Sequence, residues 1–267
     1  MLQNSNYQRG VGYALSQLGA TPNVYTYIDA AHHGWIGWSD NFGATANMLR
    51  TAATWSEPAQ GWASTVDHVH GFIVNTANYS ALTEQFVGPI TEQLRNTRWI
   101  DFNQFNEELA FAQAFRNQTI SAGFRSTVGM LIDTSRNGWG GPNRRTTQTP
   151  NTGDNNAFVD ANRLDRRIHK GNWCNQSNAG LGERPRAAPA AGIDAYVWVK
   201  PPGESDGSST AIPNDEGKGF DRMCDPTYGG NARNGNSMTG ALANSPLSGQ
   251  WFDFQFRQLV QNAFPRL

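Results

Sequence analysis

The segment Tyr196-Val197-Trp198-Val199-Lys200-Pro201-Pro202-Gly203-Glu204-Ser205-Asp206-Gly207 constrains this chain more than any other. Its apolar half carries the β-branched and aromatic bias of a buried strand. The Lys-Pro-Pro-Gly that follows cannot continue a central strand, because proline removes a ladder donor. Two carboxylates come directly after that stop. In a parallel sheet the carboxyl ends of strands gather ligand-handling loops, so Lys200, Glu204 and Asp206 are expected at one crevice.

The same grammar recurs along the chain. Tyr7, Val11, Ala14, Leu15 and Leu18 fall at helical spacing, with Asn4, Ser5 or Asn6 as candidate caps and Gly19 as a stop, which predicts a helix with one buried face. A short β-rich run, Asn23 to Ile28, ends at Asp29 and leads into the polar-aromatic loop 30–38. Gly43 to Trp55 reads as helix and His70 to Val74 as strand, followed by Asn75-Thr76-Ala77-Asn78-Tyr79. A further helix over Asn106 to Ala122 precedes a strand over Gly129 to Ile132, which ends at Asp133. The closing segment, Phe252 to Ala263, carries one apolar helix face.

Four strands separated by helices or long crossovers predict an α/β fold with a parallel sheet and helices outside it, in one domain spanning residues 1–267. Functional-looking residues after every strand favour a barrel over a flat sheet. Four strands cannot close one, so either further strands escape the pattern or part of the domain is expected before Met1. Two long stretches, Thr134 to Ala191 and Gly207 to Gly249, show no clear secondary structure and are suited to roofing a cleft.

Composition narrows the partner. A formal net charge of −1 supplies no field for nucleic acid or anionic lipid, and no Lys/Arg stripe with interleaved aromatics occurs in sequence. No stretch approaches the roughly 20 apolar residues of a membrane span, and residues 1–18 lack a signal-peptide core. With 28 Gly and 9 Trp the chain is loop-rich and aromatic, which fits an uncharged polymer. Trp35, Trp38, Trp139 and Trp173 lie in loops, where flat rings can stack on sugars or plug a loop onto the core. Trp198 reads as core.

Asp29, Asp133, Glu204 and Asp206 all follow predicted strands. Paired carboxylates at one crevice suit acid/base cleavage of a glycosidic bond, while a single strand-end Asp more often caps the next turn. His32 and His33 have no ligand-like spacing to other donors, so no metal is expected and His32 reads as a hydrogen-bonding group. GxSxG, Walker and GxGxxG motifs are absent. Cys174 and Cys224 are compatible with a disulfide pinning two loops or with two unrelated thiols.

Five segments then carry a resemblance: residues 27–38, 75–79 and 132–138, Gly171-Asn172-Trp173-Cys174-Asn175, and Trp198 to Gly207. In order and spacing they resemble the exo-acting bacterial cellobiohydrolases of glycoside hydrolase family 6. The resemblance implies a distorted parallel β/α barrel, TIM-like in plan, that cleaves β-1,4-glucan with inversion. It implies a secreted monomer without cofactor whose partners are cellulose and cello-oligosaccharides. Asp206 matches the residue proposed as catalytic base and Asp29 a supporting aspartate. His32, Trp35, Asn78, Trp173, Lys200 and Glu204 match sugar-binding positions, and Cys174 and Cys224 fall where the family has a disulfide. The two long loops resemble those that roof the tunnel of exo-acting members. An open-cleft endoglucanase and a non-catalytic carbohydrate-binding protein are the competing readings. One departure stands out: nothing here resembles the family's Tyr-Asp-Leu-Pro-x-Arg-Asp-Cys-like segment with its proton-donor aspartate, so the chain is expected to be the carboxyl-terminal part of the catalytic domain.

Overall fold

The computed structural model describes residues 5–267. Its helices are α1 (Asn6–Leu18), α2 (His33–Ile36), α3 (Ser39–Ala53), α4 (Glu108–Ser121), α5 (Asn155–Asn162) and α6 (Asp253–Gln261). Its strands are β1 (Tyr27–Asp29), β2 (Ser56–Glu57), β3 (Trp62–Ala63), β4 (Gly71–Val74), β5 (Gly129–Asp133), β6 (Gly138–Trp139), β7 (Ala179–Gly180), β8 (Arg186–Ala190) and β9 (Ile193–Val197). The central sheet runs β1-β4-β5-β9-β8. Its first four strands are parallel, and β8 pairs antiparallel with β9 at the edge. Among the described residues β1 has no strand on its outer side, so the sheet is an open arc.

The residues behind this arrangement are mostly those with the right period. β4 is buried at all four positions and β5 at four of five, as a parallel strand covered on both faces must be. Phe111, Ala112 and Phe115 of α4 pack with Phe72, Met130, Ile132 and Tyr196 in the main core. Ile28 of β1 adds to it from the sheet edge. Gly123, at φ +104°, ends the α4 region in a conformation that favours glycine.

Several expectations need correction. The last strand begins at Ile193 and stops at Val197, so Trp198 and Val199 lie beyond it. The register with Asp133 ends there, and Trp198 instead turns its Nε1 to the Glu183 carbonyl at 2.9 Å. β8 escaped notice because Arg-Ala-Ala-Pro-Ala has no apolar alternation. An exposed antiparallel edge needs none, and it tolerates Pro189. The stretch 134–191 therefore holds α5, β6, β7 and β8, although 207–249 carries only short 3₁₀ turns. On α1, Leu15 is buried but Tyr7, Ala14 and Leu18 are exposed, so the predicted apolar face is covered only in part. Ser5 makes no side-chain cap there, and Asn4 lies outside the described residues. Trp139 is fully buried and donates to the Tyr79 carbonyl at 2.8 Å, which makes it core.

Candidate active site

Strand ends build the site. Asn75, at the end of β4 with φ +69°, donates through Nδ2 to the carbonyls of Asp133 at 3.0 Å and Ser80 at 3.2 Å. Asp133 accepts the Ser135 N–H at 2.8 Å and the Lys200 N–H at 2.7 Å. These bonds tie the carboxyl ends of β4, β5 and β9 together. Asp133 is thus a buried cap whose oxygens are occupied, and burial raises its carboxyl above the ordinary value.

Asp206 is the most heavily contacted carboxylate at that edge. Arg136 Nη1 donates to its two oxygens at 2.7 and 2.9 Å, the Tyr79 hydroxyl at 2.7 Å and the Asn175 N–H at 2.8 Å. Lys200 Nζ stands 3.4 Å away. Burial alone would push this carboxyl up. The Arg136 and Lys200 charges, with the two donated hydrogen bonds, outweigh burial and hold it below the usual range. Asp206 is therefore an anion at neutral pH. The Arg136 guanidinium also lies 4.2 Å over the Tyr79 ring and donates to its hydroxyl at 2.8 Å. From α6, Gln255 donates to the Tyr79 hydroxyl at 3.2 Å and to Asn175 Oδ1 at 3.1 Å, bracing the cluster from below.

A separate group of the expected residues lines a cleft of about 530 Å³, namely Asp29, His32, Trp35, Asn78 and Trp173. Asp29 accepts the Ala31 N–H at 2.7 Å and the Thr76 hydroxyl. His32 Nε2 accepts from Asn78 Nδ2 at 2.9 Å, which leaves the ring proton on Nδ1, where no protein group receives it. Burial, then the nearby Arg167 charge, keeps this imidazole neutral. Asn78 Oδ1 is committed to Arg167 and to the Tyr79 N–H at 2.8 Å, so Asn78 acts largely by orienting His32. Trp35 is 59% exposed and Trp173 half-buried, as suits ring faces that meet a ligand.

Lys200, Glu204 and Asp206 meet as expected, but they stand outside that lining and form a second, adjoining group. Lys200 Nζ bridges Glu204 at 2.7 Å and Asp206. The groups are linked through Arg136, whose Nη2 reaches the Thr76 carbonyl at 3.4 Å beside Asp29. The far wall of the cleft comes from Asp221, Met223, Asn231 and Arg233 in the stretch 207–249. Cys174 and Cys224 form a disulfide that pins this stretch to the loop carrying Trp173.

With this arrangement in view, the sequence profile described as Glycosyl hydrolases family 6 matches residues 2–263. The chain belongs to glycosyl hydrolase family 6. It is 48% identical to Exoglucanase A of Cellulomonas fimi over 97% of its own length, and covers 30% of that protein. The solved catalytic domain of Cellulomonas fimi Cel6B superposes with a TM-score of 0.91 at 45% identity, over 99% of this chain and 60% of that one. Cellobiohydrolase II (Cel6A) from Humicola insolens, solved with glucose and cellotetraose, gives a TM-score of 0.67 at 29% identity over 99% of this chain and 57% of that one. The central parallel sheet is thus the family 6 fold, a distorted TIM-like barrel in those relatives.

Tyr79, Arg136, Asn175 and Gln255 were missed in the sequence. Arg136 and Tyr79 carry the available signal, since each sits a few residues past a strand end, where the loops of a parallel sheet gather ligand-handling side chains.

Proposed function

We propose that this chain contributes to inverting hydrolysis of β-1,4-glucosidic bonds in cellulose, in the exo mode that releases cellobiose from chain ends. The observation that carries the reading is the tryptophan-lined cleft. Trp35, 59% exposed, and the half-buried Trp173 line a cleft walled by a disulfide-pinned stretch, which suits threading of one glucan chain. The names of the relatives, exoglucanase and cellobiohydrolase, point the same way.

In this reading Trp35 and Trp173 stack on sugar faces, and His32 Nδ1–H donates to a hydroxyl. Lys200 and Glu204 bind hydroxyls beside Asp206. Asp206 takes the proton of the attacking water as the candidate base, and Asp29 supports the charge balance from the other side of Thr76. The proton for the leaving oxygen comes from a group outside the motifs matched here. Such an enzyme works as a secreted monomer. The disulfide fits an oxidising compartment, and no described helix is long and apolar enough to cross a membrane.

The test is product analysis on amorphous cellulose alongside viscometry of carboxymethyl cellulose. Cellobiose with little loss of viscosity is expected. A rapid viscosity drop refutes the exo mode, and unchanged turnover in Asp206→Ala removes the catalytic role of that residue.

A further inference from the structure

Beside the tryptophan-lined cleft lies a second cavity, of about 720 Å³, that shares Gly34, Lys170, Gly171 and Arg233 with it. Its lining contains Arg98, Arg163, Arg166, Lys170 and Arg233, against two carboxylates, Asp101 and Asp160. Asp160 is held by Arg163 Nε at 3.1 Å, whereas Arg98 Nη2 lies 3.4 Å from it on a side chain that is 82% exposed and is free to turn to a ligand. Arg166 and Arg233 line the cavity without an ion pair to either of these carboxylates, while burial pushes the Lys170 ammonium down to about 7 despite the nearby Asp101. A chain of net charge −1 thus concentrates positive charge in one concavity.

Two features mark this as a built surface. Lys170 is buried, donates to the Ile100 carbonyl at 2.9 Å, and holds its ammonium 5.3 Å from the Trp38 ring and 5.9 Å from the Trp99 ring. Arg163 lies 4.0 Å over Trp99, so cations and indoles form one interleaved wall. The wall also stores strain. Asp101 and Phe102 are consecutive non-glycine residues at φ +52° and +56°, and the Asp101 carbonyl in that bend receives the Trp38 Nε1–H at 2.7 Å. Strained backbone of this kind persists where the surrounding structure over-determines it, commonly at ligand sites.

A carboxylate makes fuller use of this charge than a neutral hydroxyl does, because a guanidinium can meet both of its oxygens. We propose that the outer cavity is a subsite for carboxylate-bearing sugar units of a glucan chain, in which Arg98, Arg166 and Arg233 meet the carboxylate and Trp38 meets the ring. The inference rests on the glucan reading above and deepens it. The carboxylate can sit at C6 of a unit within the chain or at an oxidised C1 end, and both present the same planar anion to a guanidinium.

The experiment is titration calorimetry of the intact chain with three ligands of equal length: cellohexaose, a β-1,4-linked glucuronan hexamer and cellohexaonic acid. At about 20 mM salt, where charges act over roughly 20 Å, either acid is expected to bind about five- to tenfold tighter than cellohexaose. The preferred acid identifies the source of the carboxylate. The preference is expected to vanish at about 0.5 M salt and in the Arg98→Gln/Arg166→Gln pair. Binding of cellohexaose with no preference for either acid overturns the inference and leaves the glucan reading intact. A preference that survives both the salt and the double substitution overturns the assigned location. Absence of binding for all three ligands overturns both readings.

Discussion

The Arg136–Asp206 pair offers the sharpest test of how the site is held. Both side chains are essentially buried, with side-chain exposures of 0% and 6%. Removing one partner strands a charge in the interior, which typically costs about 3–5 kcal/mol, whereas removing both leaves no unpaired ion. Arg136→Met should fall at the lower end, near 3 kcal/mol, because Lys200 Nζ already stands 3.4 Å from Asp206 and can take up part of the anion's field. Asp206→Asn should fall at the upper end, near 5 kcal/mol, because the buried guanidinium loses its ion pair and keeps close contact only with neutral acceptors such as the Tyr79 hydroxyl and the Thr76 carbonyl. The double variant should cost about 4 kcal/mol, well short of the sum, giving a coupling of roughly 4 kcal/mol. Urea unfolding of the four proteins, with m-values compared, reads these numbers directly. Additive costs, with a coupling under about 0.5 kcal/mol, would show that Asp206 is solvated and that its lowered protonation range has another source.

Three further outcomes are expected. Reducing Cys174–Cys224, which spans a sequence separation of 50, should destabilise the chain by about 4 kcal/mol in the chain-entropy account. A melting temperature unchanged by reductant would remove the loop-pinning role. Trp35→Ala and Trp173→Ala should each weaken cello-oligosaccharide binding about tenfold, read by calorimetry, and a Trp173→Phe variant should recover part of the loss. The third concerns His33 and Glu108, which share a hydrogen bond of 2.6 Å beneath α2. Burial raises Glu108 to about 8, and burial keeps His33 well below its ordinary value, so the folded pair holds one proton up to about pH 8. The unfolded pair gives up its last proton near 6.5. Because the folded state binds more protons between these limits, this pair's contribution to stability is lost as pH rises from about 6.5 to 8. The melting temperature of the parent relative to Glu108→Gln should fall across that window, and a flat difference would refute the shared-proton picture.

Some of the fold follows from pattern alone. The β4 and β5 segments are short apolar runs closed by Asn75 and Asp133, and their burial on both faces leaves no other reading. The α4 helix is legible because Phe111, Ala112 and Phe115 repeat along one face. β8 was not legible, because an edge strand needs neither alternation nor bulk. The end of β9 was misplaced because Trp198 and Val199 have strand-like side chains, yet Lys200 is drawn toward Asp133 and the chain leaves the ladder early.

The sequence by itself determined which residue types stand at the strand ends, and through five motifs it determined the family. The separation of roles among those residues came only with the tertiary structure. Asp29, Asp133 and Asp206 are the same side chain at comparable positions. Asp133 became a cap because two backbone N–H groups converge on it. Asp206 became a buried anion because Arg136, Tyr79 and Asn175 arrive from three distant segments. The cationic cavity is likewise invisible along the chain, since Arg98, Arg166 and Arg233 meet only in space. Protonation and charge balance depend on distances of a few ångströms between groups far apart in sequence, and only the packed fold sets those distances.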